Sequence, residues 1–174
     1  QMMQGMVNTY KESGWLPEWA TPGHRATMIG SNSASVITDA YTKGIRGFDI
    51  NTLYEALMKN TEQQGPLNTL GRNGVNEYNT LGYVPVDKYG GSAAKTLEFA
   101  YADFCLRNLS TLLKKPADQI KKFEQRALNY KNIFDPKYNL MRGRNTDGSF
   151  QNNFNPLKWG GEFVEGNAWH YSWS

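Results

Sequence analysis

Two adjacent apolar patterns constrain the fold of this chain more than any other feature of its sequence. The first starts at Ser92, the expected N-cap, and is apolar nearly all round a helix as far as Leu109, which is typical of a helix enclosed by other helices. The second has Pro116 in its first turn. Its single apolar stripe reaches Ile133 and lies opposite a charged face. The sequence therefore predicts an inner helix followed directly by an outer helix.

The same 3.6-residue periodicity predicts three more helices and the start of a last one. They cover about residues 2–12, residues 33–43, a segment capped by Asp49, and a segment that begins after about residue 164. Short connections alternate with long ones, so the helices pair into hairpins with an inner and an outer member. We predict an all-α fold, a partial toroid of alternating inner and outer helices with about half of the ring present.

The long connections are the expected location of a functional site. They cover about residues 15–32, 65–91 and 135–164, and loops beyond ~12–15 residues in a compact domain are usually functional. If inner and outer helices alternate, all three long loops emerge at one end of the inner helices. We expect the site at that end.

The sequence begins within a helical pattern and ends within an aromatic run. The first residues already belong to a helical stripe, and residues 169–174 form an aromatic run without the Gly, Pro or basic last turn that ends a helix. We therefore expect residues 1–174 to be a single fragment of one helical domain, truncated at both ends.

Composition excludes several classes of function. The net charge is +3, and the only adjacent basic pairs are Lys114-Lys115 and Lys121-Lys122, whereas a nucleic-acid site needs a basic patch or stripe. No apolar run approaches the ~18 residues of a membrane span. His24 and His170 lack the spacing of zinc ligands. The 5 Trp and 10 Tyr fit either a cleft for sugars or peptides or a large aromatic core.

The strongest candidate for chemistry is Glu165. It precedes the last predicted helix, one face of which carries Trp169 and Trp173 four residues apart. A general acid for a glycosidic oxygen must hold its proton near neutral pH, and burial against aromatic rings raises the pKa of a carboxyl group. A helix N-terminus acts in the opposite direction. From spacing alone, a general acid and a simple helix cap remain open alternatives.

Three neighbouring residues are candidates for sugar binding, each with a structural alternative. Arg142 and Arg144 flank Gly143 in the last long loop, where they could clamp sugar hydroxyls or form a loop-fixing ion pair. Trp169 could be a stacking platform or part of the core.

Five further polar residues have weaker assignments. Asn167 could bond a sugar hydroxyl or cap its own helix, and Glu162 could assist the acid or be a solvated loop residue. Asp39, Glu98 and Asp103 lie on largely apolar helices, where an unpaired charge is costly. We interpret these three as hydrogen-bonded structural carboxylates.

One motif in this part of the chain is similar to that of a known family. Gly160-Gly161, then Val164-Glu165-Gly166-Asn167-Ala168-Trp169, then Tyr171 and Trp173, resembles the signature of glycoside hydrolase family 92, the calcium-dependent exo-α-mannosidases. Collinear similarities extend over essentially the whole chain, at residues 13–19, 28–30, 35–45, 81–85, 96–101, 129–136 and 141–148. Each alone is weak, but their common order is specific.

The resemblance implies a function for the full-length protein. It implies a secreted or periplasmic, bacterial-type hydrolase that removes terminal α-linked mannose from glycans with inversion. Its (α/α)6 barrel packs on a β-sandwich domain. The general acid of the family is the glutamate of the Glu-Gly-Asn-Ala-Trp motif, which is Glu165 here.

The resemblance also implies what residues 1–174 lack. Inversion needs a second carboxylate, with the two carboxyl groups ~6.5–9.5 Å apart. The family places that base and the calcium-associated residues in motifs further toward the C-terminus. We therefore expect calcium in the full-length enzyme, no metal ligands in this chain, and no hydrolysis by this chain alone. A non-catalytic carbohydrate-binding or interaction domain with the same toroid is the alternative, and a different barrel glycosidase or lyase is a third possibility.

Overall fold

The computed structural model describes residues 1–19, 23–24 and 28–173, the last of these without its side chain. Within these ranges the chain is mainly helical. The α-helices are α1 (Met2–Ser13), α2 (Asn32–Thr42), α3 (Ile50–Glu62), α4 (Val75–Leu81), α5 (Ser92–Leu112) and α6 (Ala117–Arg126). Two 3-10 helices cover Asn129–Ile133 and His170–Trp173. The short strands β1 (Phe134–Asp135) and β2 (Leu140–Met141) pair antiparallel. The prediction of a helical fold is confirmed, and the (α/α)6 arrangement stays a prediction.

Most helix boundaries follow the periodicity of the sequence. Asp49 caps α3, because its side chain accepts a hydrogen bond from the Thr52 backbone N–H. The predicted helix from Pro116 ends early, at Arg126, and continues to residue 133 as a 3-10 helix after a turn. Helix α4 was not predicted, since it has only seven residues and lies inside the long connection 65–91.

The largest core cluster lies between α1, α2, α3 and α5. Helix α2 packs against α5, and α1 packs against α3, which is the pairing expected if α2 and α5 form the inner layer. Side chains such as Ile37, Leu57 and Leu106 are fully buried here, and each such burial contributes about 1.5–3 kcal/mol. None of the described helices is long and apolar enough to cross a membrane.

A buried ion network crosses this core between α5, α6 and the loop before α4. The Asp103 carboxylate is fully buried and lies 2.7 Å from a terminal guanidinium nitrogen of Arg72 and 3.0 Å from Nε of Arg126. The Tyr78 hydroxyl donates to the same carboxylate at 3.1 Å. Asp103 therefore has the structural contacts that its apolar helix predicts. Asp39, in contrast, lies on the exposed side of α2 and pairs with Lys43 at 2.8 Å.

The three long connections meet at the N-terminal ends of α2 and α5. Residues of all three connections line a common cavity of about 370 Å³: residues 28–30 from the first, Asn68, Gly71 and Asn73 from the second, and Val164 from the third. The alternation of short and long loops predicts this convergence. The candidate site lies at this end of the helices.

Candidate active site

The loop that carries Glu165 is anchored on the first turn of α5. The backbone N–H groups of Ala93 and Ala94 donate to the Glu162 carbonyl oxygen at 3.0 and 3.3 Å, and the Gly91 N–H donates to the Gly161 carbonyl oxygen at 2.8 Å. The first N–H groups of a helix have no partner within the helix, so the loop supplies what a capping side chain would supply. The prediction of Ser92 as the N-cap is wrong for this reason: Gly91 holds that position in a left-handed conformation.

Two glycines allow the surrounding segments to approach this loop closely. Gly91 has a φ of 63°, and a Cβ at this position would lie 2.7 Å from Cγ2 of Val164. A Cβ on Gly143 would overlap the Glu162 carboxylate and would lie 2.9 Å from Val86. Both positions therefore require glycine, which fixes the loop against α5 on one side and against the 143 segment on the other.

Glu165 itself is exposed and has a left-handed backbone with a φ of 51°. The loop around it is closed by a hydrogen bond from the Gly160 N–H to the Gly166 carbonyl oxygen (2.9 Å) and by one from the Tyr171 hydroxyl to the Val164 carbonyl oxygen (2.6 Å). Residues 160–169 form turns, and regular helical structure begins only with the 3-10 helix at residue 170. The predicted helix after residue 164 is therefore wrong at its start, and Glu165 is not in its first turn.

Asn167 and Trp169 lie in the turn that follows. The Asn167 Oδ1 accepts hydrogen bonds from the backbone N–H groups of Trp169 (3.1 Å) and His170 (3.4 Å), which is the capping alternative for this residue. The Trp169 side chain is 52% exposed, so it is not part of the core of the described chain. A stacking role for its ring stays a prediction, and the side chain of Trp173 lies outside the described residues.

Two cavities border the loop of residues 160–166. The first, which we name the Glu162 cavity, has a volume of about 430 Å³ and includes residues 160–163 in its wall. The second is the cavity of about 370 Å³ at the meeting point of the long connections, to which Val164 and Lys95 contribute, and we name it the Lys95 cavity. Gly90 borders both cavities. Glu165 directly follows these wall residues but belongs to the wall of neither.

Glu162 is a buried carboxylate and not a solvated loop residue. Only 8% of the residue is exposed, and its Oε2 accepts a hydrogen bond from the Gly143 backbone N–H at 2.8 Å. Burial raises the pKa of the Glu162 carboxyl group, although the Gly143 N–H and the charges of Arg142 and Lys158 act in the opposite direction. The solvated alternative is therefore wrong, and a direct role beside the acid stays a prediction.

Two charged groups on the first turns of α5 lie in low-dielectric surroundings. Burial lowers the pKa of the Lys95 amine and raises the pKa of the Glu98 carboxyl group. Glu98 lies beside Gly30, where a Cβ would be 3.2 Å from its Oε2. These residues place a cation and a carboxyl group near the Lys95 cavity, at the same end as the loop of Glu165.

Arg142 and Arg144 hold the last long loop together. Arg142 is buried, pairs with Asp135 and donates to the carbonyl oxygen of Gln151. Arg144 donates from Nε to the Gly148 carbonyl oxygen at 2.6 Å and from a terminal nitrogen to that of Asn132 at 2.9 Å. These are the contacts of the loop-fixing alternative, and the sugar-clamp role stays a prediction.

Glu18 is a polar residue for which the sequence predicts no role. Its carboxylate accepts hydrogen bonds from the Ser33 N–H (2.9 Å), the Ser33 hydroxyl (2.7 Å) and the Asn60 amide (2.7 Å). Burial raises the pKa of Glu18 to about 7, and these hydrogen bonds and the charge of Arg72 oppose the shift. Glu18 thus caps α2 from 15 residues away, and no local motif in the sequence signals such a contact.

The described residues offer no cluster for calcium. Within residues 1–19, 23–24 and 28–173, no three His, Cys, Asp or Glu side chains come together, whereas calcium takes six to eight oxygen ligands. Within these residues, therefore, calcium finds no cluster of carboxylate ligands.

Comparisons with known proteins agree on one family. The sequence model of the glycosyl hydrolase family 92 catalytic domain matches residues 1–174. The structure of a family GH92 inverting mannosidase from Bacteroides thetaiotaomicron superposes with a TM-score of 0.93 at 40% identity, over 98% of this chain and 23% of that one. A family GH92 α-mannosidase from the same bacterium gives a TM-score of 0.89 at 34% identity, over 99% of this chain and 23% of that one.

A curated relative points in the same direction. An uncharacterized secreted glycosidase of Arthroderma benhamiae is 32% identical in an alignment that covers 89% of this chain and 22% of that protein. The chain thus spans less than a quarter of the length of these relatives. The matches define it as part of the catalytic region of a glycoside hydrolase. It belongs to glycosyl hydrolase family 92, so the family resemblance of its motifs is confirmed.

Proposed function

We propose that the full-length protein containing this chain hydrolyses terminal α-linked mannose with inversion, and that Glu165 is its general acid. The observation that carries the proposal is the placement of Glu165. It stands in a left-handed position of a loop that is bound to the N-terminus of α5 and bordered by two cavities. The similarity to two mannosidases, one of which is described as inverting, supports the choice of substrate and of stereochemistry.

The proposed reaction needs one proton donor and one proton acceptor. Glu165 donates its proton to the glycosidic oxygen as the bond between this oxygen and the anomeric carbon breaks. A water molecule attacks the same carbon from the opposite face and loses a proton to a second carboxylate, which leaves the product with inverted configuration. That carboxylate belongs to a part of the protein outside residues 1–174, so we propose that this chain alone does not hydrolyse mannosides.

An acid must also be shielded from water to hold its proton at neutral pH. Glu165 is exposed to solvent in the described part of the chain. We propose that the bound mannoside and neighbouring parts of the catalytic domain cover this carboxyl group. Trp169, exposed four residues further along, supplies an aromatic face for this enclosure, and calcium is held by residues outside this chain.

An apolar groove indicates where the rest of the catalytic domain packs. Tyr101 and Phe104 on α5 are 57% and 46% exposed, and together with Leu128 and Tyr130 they line a groove of about 600 Å³. Because the solved relatives are about four times as long as this chain, we propose that the next inner helix of an (α/α)6 barrel covers this groove. We also propose a β-sandwich domain beside this barrel and, from the secreted relative, a location outside the cytoplasm.

Replacement of the acid tests the proposed function. In the full-length protein, Glu165→Gln should lower kcat on an α-linked mannobiose by a factor of about 10²–10⁴, the usual contribution of a general acid. The loss should be smaller on a nitrophenyl α-mannoside, because nitrophenolate leaves without being protonated. Glu124→Gln on the exposed side of α6 is the matched control and should retain the wild-type rate.

The same measurements separate the competing functions. Equal rates for Glu165→Gln and wild type on mannobiose would show that another residue donates the proton. A wild-type protein that binds mannosides without turnover would instead support a non-catalytic carbohydrate-binding domain. Turnover of a different glycoside would point to another glycosidase or a lyase.

A further inference from the structure

We propose that the Glu162 cavity is an additional sugar-binding subsite, which takes a neutral hexose unit of the glycan beyond the unit that is cleaved off. The inference rests on the proposed function, since it assumes a glycan bound at the Glu165 loop. It assigns a role to the long segment of residues 151–158, which the proton transfer from Glu165 does not use.

Glu162, in the wall of the cavity, has one carboxylate oxygen with free hydrogen-bonding capacity. One oxygen of Glu162, Oε2, accepts from the Gly143 N–H. The other, Oε1, accepts no hydrogen bond from any of the described residues and remains accessible to solvent, although the residue as a whole is only 8% exposed. A ligand that displaces water from this oxygen must supply a hydrogen-bond donor in its place, and a sugar hydroxyl is a suitable donor.

The rest of the wall has the composition of a sugar site. The volume of about 430 Å³ falls in the usual range of ~300–1,000 Å³ for small-molecule sites. Asn152 and Lys158 provide donors and acceptors, and the rings of Tyr89 and Phe154 provide apolar faces for stacking. An aromatic face beside several polar groups is what a pyranose ring requires.

The charges in the cavity favour a neutral ligand. The amine of Lys158 is close enough to Glu162 to lower the pKa of its carboxyl group, so one cation and one anion share the cavity. A phosphate or carboxylate ligand would meet the Glu162 carboxylate, and a cationic ligand would meet the Lys158 amine. A hexose carries no charge and can bond to both groups.

The wall is held in place before any ligand binds. The buried guanidinium group of Arg142 donates to the Gln151 carbonyl oxygen and lies 4.5 Å from the centre of the Phe154 ring. The Gln151 N–H donates to the Gly143 carbonyl oxygen at 3.0 Å. Because these contacts fix the Gln151 and Phe154 part of the wall, this part loses little conformational entropy when a ligand binds.

The subsite is close to the proposed acid along the chain. Glu162 and Glu165 are three residues apart, so their Cα atoms are separated by at most about 11 Å. One extended oligosaccharide can therefore contact both the Glu165 loop and the Glu162 cavity. The subsite would then contribute to the affinity for longer glycans and not for monosaccharide glycosides.

Substrate length tests this inference in the full-length protein. The double variant Asn152→Ala/Lys158→Ala removes two exposed side chains of the wall. We expect the ratio of kcat/KM for an α-mannotriose to that for a nitrophenyl α-mannoside to fall about tenfold or more, the usual effect of losing a hydrogen bond to a charged group. Lys121→Ala on the exposed side of α6 is the control and should leave this ratio unchanged.

Other outcomes separate this inference from the proposed function. An unchanged ratio, or an equal loss on both substrates, overturns the subsite and leaves the mannosidase proposal standing. If the wild type hydrolyses neither substrate, the proposed function fails. The subsite is then tested by calorimetric titration with the trisaccharide, in which weaker binding to the double variant supports it, and absent or equal binding overturns it.

Discussion

Replacing Asp103 by Asn should strongly destabilise the chain. The change preserves the shape of the side chain but removes a fully buried negative charge that lies 2.7 Å from Arg72 and 3.0 Å from Arg126. Removal of one partner from a buried ion pair typically costs about 3–5 kcal/mol, because the remaining charge has no compensation. At roughly 2–4 °C per kcal/mol for a chain of this size, the melting temperature should fall by about 6–20 °C.

The matched control is the other aspartate of an inner helix, Asp39. Its ion pair with Lys43 is exposed on the surface of α2, and exposed pairs of this spacing contribute about 0.3–0.5 kcal/mol. Thermal and urea unfolding of Asp103→Asn and Asp39→Asn, followed by far-UV circular dichroism, gives both free energies of unfolding. Losses of similar size, below about 1 kcal/mol, would refute the structural role of the buried network.

Two further predictions concern backbone contact and pH. Gly143→Ala should destabilise the chain by about 1–3 kcal/mol, because the new Cβ overlaps the Glu162 carboxylate. A Cβ at Gly5 in α1 would meet open space. Gly5→Ala should therefore stabilise the chain by about 0.5–1 kcal/mol, measured by the same urea titration. Since burial raises the pKa of Glu18 from 4.5 to about 7, its stabilising contribution is complete below pH 4.5 and is lost as the pH rises to 7. Glu18→Gln should therefore remove a decline in stability between pH 5 and 7.5, and an identical pH dependence in the variant would contradict the assignment.

The helices were predictable because their periodicity records which side chains are buried. The apolar positions of α3 and of the C-terminal part of α5 lie in one core cluster, and the residues that define these two patterns are local in sequence. Helix α4 could not be predicted from periodicity. Its seven residues between the left-handed Gly74 and Gly82 are too few to show a helical period.

The contacts that the sequence did not reveal are long-range backbone contacts. Ser92 is a residue type that often forms an N-cap. Instead, the Glu162 carbonyl oxygen, 70 residues away in sequence, accepts hydrogen bonds from the backbone N–H groups in the first turn of α5. Glu18 also caps α2 across a long loop, but through its side-chain carboxylate. A backbone carbonyl is the same in every residue, so the sequence carries no signal for such a partner, and the loop at the candidate site could not be positioned from spacing alone.

The conformation of Glu165 gives a reason to assign function to its side chain. A left-handed backbone costs a residue with a Cβ about 1 kcal/mol or more relative to glycine, and such strain persists where the surrounding structure enforces it. Here the Gly160–Gly166 hydrogen bond and the attachment to α5 enforce it, and Glu165 has no described hydrogen bond that would offset the cost. Glycine would be the less strained residue at this position, so the carboxyl group is best explained by a partner that binds there, as a glycosidic oxygen would.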